Sequence, residues 1–210
     1  MRLICFDLDG TLIYSDKVHL TAIHATLKKY RLKDHSNEEF LKLFGLPLHI
    51  ILERLGYPKK IIPTIVEEHR TLVVKKTHKY AKAFPGVKNA LIKLKKHYNL
   101  ALLSNSSHRE VMALLKGAKI DFKLFDVIIG GDEVHDGKPN PEEIKKAEKI
   151  LHLKADYMVG DTIYDIKAGK RARARPIGVL TGTVHGQKEL KKQRPWRIIK
   201  SAANLPELLI

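Results

Sequence analysis

The sequence predicts an α/β fold: a mostly parallel sheet covered by helices on both faces, interrupted early by a purely helical block. Two observations predict it. After residue 84, short apolar runs of strand length alternate with segments of helical periodicity, the pattern of a parallel sheet. Before that, residues 15–82 hold several helix-like patterns and no strand.

In order along the chain, Leu3, Ile4, Cys5 and Phe6 form an apolar run read as the first strand. Helical patterns follow over 17–32, 36–44, 48–55 and 58–80, punctuated by Gly45, Pro47, Gly56, Pro58 and Pro63. A helix is expected over 86–97, introduced by Pro85, with Val87, Ala90, Leu91 and Leu94 at helical spacing. A strand at 100–104 precedes a helix at 107–116 that places Val111, Leu114 and Leu115 on one face. Residues 126–130 read as a strand, and Pro141 opens a helix through Leu151. A strand at 157–160, a helix at 163–173 and strands at 177–180 and 196–199 follow, with a last turn or helix at 205–210. The division predicted is a Rossmann-like core of residues 1–14 and 83–210 carrying an inserted α-helical cap domain of residues 15–82.

Composition narrows the function classes. The chain of 210 residues is 44% hydrophobic and 30% charged, the balance of a water-soluble globular protein. No apolar run approaches the roughly 18–20 residues a membrane span needs, and the first residues lack a basic leader with an apolar core. A cytoplasmic protein is therefore expected. Cys5 is the only cysteine, so no internal disulfide forms. A cysteine phosphatase needs an arginine six positions later; Thr11 stands there, and Cys5 reads as a buried core residue. Lys and Arg number 39 against 23 Asp and Glu, a formal charge of +16. Such a surface attracts anions, whether nucleic acid or phosphorylated metabolites. Arg171, Arg173, Arg175, Lys188, Lys191, Lys192, Arg194 and Arg197 around Trp196 would carry a nucleic-acid reading, but no recognised motif accompanies them, so that partner is not favoured.

In open parallel sheets, ligands collect beyond the C-terminal ends of the strands. After the first predicted strand come Asp7, Leu8, Asp9, Gly10 and Thr11; after the second, Ser104, Asn105, Ser106 and Ser107. Lys138 and Pro139 follow the third, and Gly160, Asp161, Thr162, Ile163, Tyr164 and Asp165 end the fourth. Four carboxylates, a hydroxyl and a lysine thus converge. That set suits phosphoryl transfer, in which an anionic nucleophile must approach an anionic phosphoryl group. Mg²⁺ on carboxylate oxygens offsets the repulsion, Lys138 adds fixed positive charge, and the Ser104 hydroxyl with backbone N–H groups near Asn105 binds phosphoryl oxygens at a helix N-terminus.

The segments FDLDGTL, LSNSS, DGKPNP and GDTIYDI resemble the four motifs of the haloacid dehalogenase superfamily, in order, across essentially the whole chain. The resemblance implies a Mg²⁺-dependent phosphatase with Asp7 as nucleophile. Asp9 would be the acid/base, its backbone carbonyl helping to bind the metal. Ser104, Asn105 and Lys138 would hold the phosphoryl group, Asp161 would ligate the metal, and Asp165 would support the metal shell. Dehalogenases of this kind lack an aspartate at the position of Asp9, so its presence favours phosphoryl transfer. The helical block resembles the caps of phosphoglycolate-phosphatase-like and sugar-phosphate relatives. It places His19 where those relatives carry a histidine that steers the acid/base, and Lys42 as a candidate substrate contact. Hexose-phosphate mutases have an arginine three residues after the glycine of this loop; Leu48 stands here, which weakens a sugar-phosphate mutase alternative. The substrate class implied is a small phosphorylated metabolite, and monomer and small homo-oligomer both remain open.

Two further signals fail. A nucleotide-binding glycine-lysine loop around Lys138 would need Gly at 132 and Ser or Thr at 139, where Asp132 and Pro139 stand. The eleven histidines show no zinc-like spacing, and His69 and His78, nine apart on a predicted helix, read as surface residues.

Overall fold

A computed structural model describes residues 2–210. Its strands are β1 (Arg2–Phe6), β2 (Ile13–Tyr14), β3 (Lys82–Ala83), β4 (Tyr98–Ser104), β5 (Val127–Gly130), β6 (Ala155–Gly160), β7 (Arg175–Val179) and β8 (Arg197–Ile199). The principal helices are α1 (Asp16–Lys29), α2 (Asn37–Leu41), α3 (Leu48–Arg54), α4 (Ile62–Lys75), α5 (Val87–Lys95), α6 (His108–Ala118), α7 (Glu142–Leu151), α8 (Ile163–Arg171), α9 (Gln187–Lys192) and α10 (Leu205–Leu209).

Six strands form one sheet in the order β5-β4-β1-β6-β7-β8, every neighbouring pair parallel. The unbroken apolar run of β1 has a direct cause. Side chains alternate across a strand, and both faces here are covered. Ile4 and Phe6 join one apolar layer with Leu100, Leu102, Val159 and residues of α5, α6 and α10, among them Leu91, Leu114 and Leu205. Leu3 and Cys5 join the opposite layer with Ala101, Leu103, Met158 and residues of α7 and α8, among them Ile144 and Ala168. Cys5 is fully buried, and burial pushes its thiol above the ordinary range, as suits a packing role. After β1 the chain builds β4 and β5 on one side, then returns to place β6, β7 and β8 on the other. The strand order therefore reverses beside β1, the place where a ligand crevice opens in such sheets.

Helices α1 to α4 pack around a separate apolar cluster centred on Ile23, Leu27, Phe40, Leu52 and Ile65. Val18 and Ala22 of α1 and Val73 of α4 instead join the main core, so these two helices bridge both clusters. The block leaves and re-enters through an antiparallel ribbon pairing Ile13 with Ala83 and Tyr14 with Lys82. Lys82 thus lies in a strand where none was expected; two residues are too few to show a period. The pattern at 58–80 also divides, into α4 and a tight turn at Thr77–Tyr80, because Lys76 adopts φ −133° and ψ −55° and breaks the helix. Helix α8 stops at Arg171, earlier than its periodicity suggests, and Arg173 is left-handed at φ 65°. Among the described residues, no helix is long and apolar enough to cross a membrane.

Candidate active site

The loop after β1 is wound tightly: Thr11, Leu12 and Ile13 all direct their N–H groups to the Leu8 carbonyl, at 3.3, 2.9 and 3.2 Å. Gly10 makes the turn possible. It sits at φ 76°, and a Cβ there would lie 2.5 Å from Asp161 Oδ2, a left-handed position and an approach that suit glycine alone. The turn brings the Thr11 hydroxyl to donate to Asp161 Oδ1 at 2.8 Å, joining the ends of β1 and β6.

Lys138 lies at the centre and is 3% exposed. Its ammonium donates to Asp7 Oδ1, to the Leu103 carbonyl at 3.2 Å and to Asp165 Oδ1 at 2.9 Å. Asp165 Oδ2 is held separately, accepting from the Thr162 N–H at 3.0 Å and the Thr162 hydroxyl at 2.6 Å. With the Asp165 N–H donating back to the Thr162 hydroxyl at 3.3 Å, the Thr162 N–H contact forms the capping box that starts α8. Burial pushes the Asp161 carboxyl up to about 8, with Asp165 adding to the effect and Thr11 opposing it. Burial likewise raises Asp7 well above the ordinary range, against the pull of Lys138. Lys138 is raised well above its own range: burial opposes its charge, but Asp165 and Asp7 prevail.

Asp7, Asp161 and Asp165 each offer an oxygen within 4.8 Å of the others. Three buried carboxylates around one lysine leave an excess of negative charge, and two are already driven toward protonation. Such an all-oxygen set fits a hard divalent cation such as Mg²⁺, whose charge would restore the ionised carboxylates. The Asp9 carboxylate stands outside this group.

The Asp9 carboxylate meets a second set of groups. His19 Nε2 lies 3.2 Å from Asp9 Oδ1, and the Ser104 hydroxyl donates to Asp9 Oδ2 at 3.4 Å. Burial works against ionisation of Asp9, yet the His19 and Ser15 contacts hold its carboxyl below the ordinary range. His19 moves oppositely: burial disfavours its charge, but Asp9, then Glu110 and Asp16, raise its affinity for a proton. The Asn105 side-chain amide donates to the carbonyls of Gly45 at 2.7 Å and Lys138 at 3.3 Å, tying the β4 loop to the helical block. Gly45, at φ 89°, packs its α-carbon so near Thr162 that a Cβ would lie 2.9 Å from Thr162 Cγ2. The loop of Phe44, Leu46 and Leu48 thereby roofs a cavity of about 200 Å³.

Asp7, Asp9, Ser104, Asn105, Lys138, Asp161, Asp165 and His19 all line this cavity. Lys42 does not. It follows α2, pairs with Glu38 at 2.8 Å and is exposed; Phe44, Leu46, Leu48 and His49, which come after it, line the cavity. His69, expected at the surface, is 4% exposed and stacks on His19 with ring centroids 5.4 Å apart. Ile65, His69 and Val73 are all buried on α4, so the spacing of four is the signal that placed His69 inside. His78 is half-buried, with Nδ1 3.2 Å from the Val73 carbonyl. Glu110 and Glu143 were also missed; each shares a buried helical stripe, with Val111 and Leu114 or with Ile144 and Ala147. Trp196 packs against Tyr157, and the guanidiniums of Arg175 and Arg197 lie 5.6 and 4.9 Å from its ring centroid.

Residues 4–179 match the family model described as haloacid dehalogenase-like hydrolase. The chain is 32% identical to a phosphoglycolate phosphatase of Aquifex aeolicus, an alignment covering 100% of this chain and 97% of that protein. It is 28% identical to the pyrophosphatase PpaX of Bacillus mycoides, covering 98% and 95%. Among solved structures, a haloacid dehalogenase-like family hydrolase from Streptococcus pneumoniae superposes with a TM-score of 0.86 over 100% of this chain and 99% of that one. At 22% identity, that last likeness speaks to the fold.

Proposed function

The chain belongs to the haloacid dehalogenase-like hydrolase family and is a phosphatase, and on that premise we propose that it cleaves a small phosphomonoester in two steps through a covalent phosphate on Asp7. The observation that carries this reading is the cluster itself: Asp7 held by Lys138 beside Asp161 and Asp165, with Asp9 lining the same cavity. Residues 1–14 and 83–210 form the catalytic core in this reading, and residues 15–82 the cap.

In the first step, Asp7 Oδ attacks phosphorus and the bond to the ester oxygen breaks. Lys138 orients the carboxylate and, with the Ser104 hydroxyl, balances charge on the phosphoryl oxygens. Asp9 delivers a proton to the departing oxygen. In the second step, Asp9 takes a proton from water, which attacks phosphorus and frees Asp7 and inorganic phosphate. His19 orients Asp9 for both transfers, and the ionised carboxylate that this contact favours is the form that accepts the proton in the second step. Held by Asp7, Asp161, Asp165 and the Asp9 carbonyl, Mg²⁺ would supply positive charge against the repulsion between carboxylate and substrate.

The small roofed cavity suits compact substrates, and closure over it excludes bulk water. Phosphoglycolate-like acids, sugar phosphates and pyrophosphate all fall within this class. Leu48 lines the cavity and offers no guanidinium at its position, which weakens the mutase alternative, while Arg70 is a cation that also lines the cavity. The test is release of inorganic phosphate from a panel of phosphometabolites and p-nitrophenyl phosphate, with Mg²⁺ and with EDTA. Metal-dependent release that Asp7→Asn abolishes, in a folded variant, is expected. Undiminished turnover by that variant sinks the mechanism.

A further inference from the structure

A line of polar side chains runs from the Asp9 carboxylate away from the carboxylate cluster and crosses from the helical block into the core. His19 on α1 meets Asp9 through Nε2 at 3.2 Å. Its other nitrogen, Nδ1, faces His69 Nε2 on α4 at 3.4 Å. His69 Nδ1, buried and without a hydrogen-bond partner among the described residues, lies 3.3 Å from Glu110 Oε1 on α6, within ion-pair reach. The second Glu110 oxygen is anchored, accepting from the Ser107 N–H at 2.9 Å and the Ser107 hydroxyl at 2.6 Å. His69 and Glu110 are each at least nine-tenths buried.

We propose that His69 and Glu110 are positioning residues that orient the His19–Asp9 pair, making leaving-group protonation dependent on this contact between the helical block and the core. The proposal rests on the reading of Asp9 as the acid/base.

The argument is one of donors and acceptors. A carboxylate only accepts, so the charge of Glu110 beside Nδ1 favours the His69 tautomer with hydrogen on that nitrogen, and a small approach completes the bond. His69 Nε2 is then left with a lone pair, which calls for a donor on His19 Nδ1. The remaining His19 nitrogen faces the Asp9 carboxylate, which also only accepts, so both contacts are made when His19 carries hydrogen on both nitrogens. Each choice fixes the next, just as an outer hydrogen bond sets which nitrogen of a working histidine carries the proton. The separations of 3.3 and 3.4 Å exceed the ordinary N–H···O length, so a small approach of the helical block tightens the line. The same three side chains lie close enough to hold a metal ion. Two facts favour the hydrogen-bonded line: the His69 nitrogens face different partners, and the Arg70 Nε already stands 3.7 Å from Glu110 Oε2.

The test separates positioning from general damage through the leaving group. An alkyl phosphate needs its departing oxygen protonated; p-nitrophenyl phosphate does not. Rapid-quench measurement of first-turnover leaving-group release, with Mg²⁺ present, is made for His69→Leu, His69→Gln and Glu110→Gln, with Asp9→Asn as reference. Glutamine at 110 preserves the capping contact to Ser107, so it carries the test even where His69→Leu fails to fold. The expected result is a loss on the order of ten- to a hundredfold with the alkyl phosphate, part of the range general-acid catalysis supplies. KM and release from p-nitrophenyl phosphate should stay within about threefold, well under a kcal/mol. Equal losses on both substrates, or none, while Asp9→Asn separates them, overturn the positioning role alone. If Asp9→Asn fails to separate them, the acid/base reading falls first and the proposal with it.

Discussion

Replacing Glu143 with glutamine should make the protein's stability less sensitive to alkaline pH, and the size of the effect follows from where the side chain lies. Glu143 on α7 is fully buried, and neither carboxyl oxygen has a hydrogen-bond partner among the described residues. It abuts the loop that carries Lys138: a Cβ on Gly137 would lie 3.6 Å from Glu143 Oε1. Burial pushes its carboxyl from 4.5 up to about 7, with Lys138 pulling the other way and Asp165 and Glu142 adding to the rise. Below the unfolded value both states hold the proton and the group costs nothing. As pH rises the unfolded chain ionises first, so stability is lost progressively until about pH 7 and then levels off. Integrating between about pH 5 and about pH 8 gives a loss of about 2.5 kcal/mol from this one group. Glutamine does not titrate, and any cost of burying its amide is the same at both pH values and cancels. The gain of Glu143→Gln over wild type should therefore be about 2.5 kcal/mol larger at the higher pH, or about 5–10 °C in Tm for a chain of this size. Calorimetry or denaturant titration in EDTA reads this directly. A pH-independent difference between the two proteins would refute the account, because it would mean the carboxyl is not raised.

Two further substitutions probe the site. Lys138→Met removes the ammonium that contacts both Asp7 and Asp165 and leaves buried carboxylates unpaired. Denaturant titration should show a loss of about 3–5 kcal/mol in the metal-free protein, and phosphate release should fall about 100- to 1,000-fold; turnover within tenfold of wild type would contradict the central role of the lysine. Lys42→Ala should change kcat/KM by less than about twofold, because the side chain is paired to Glu38 at the surface. A tenfold rise in KM would return Lys42 to the substrate site.

Much of the fold was legible in the residues because the relevant signals are local. The apolar run of β1 and the spacing of Val87, Ala90, Leu91 and Leu94 on α5 reflect backbone periods fixed by covalent geometry. The positions of Asp7, Ser104 and Asp161 just at or beyond strand ends were legible too, since a parallel sheet brings all such ends to one edge. The same reasoning fails where a local pattern is short or ambiguous. Two residues cannot display the alternation of β2 and β3, and the signal for His69, its spacing of four from Ile65 and Val73, shows a buried position but not which groups it meets there.

The sequence by itself determined the layered parallel sheet, the interrupting helical block and the residue types at the strand ends. Only the tertiary structure decided that His69 turns inward to His19 and Glu110, that Lys42 turns outward to Glu38, and that the Asn105 amide closes onto the Gly45 carbonyl. Such contacts join segments remote in the chain, so they depend on how finished helices and strands stack. Periodicity specifies the face a residue occupies; the packing of layers specifies what that face meets.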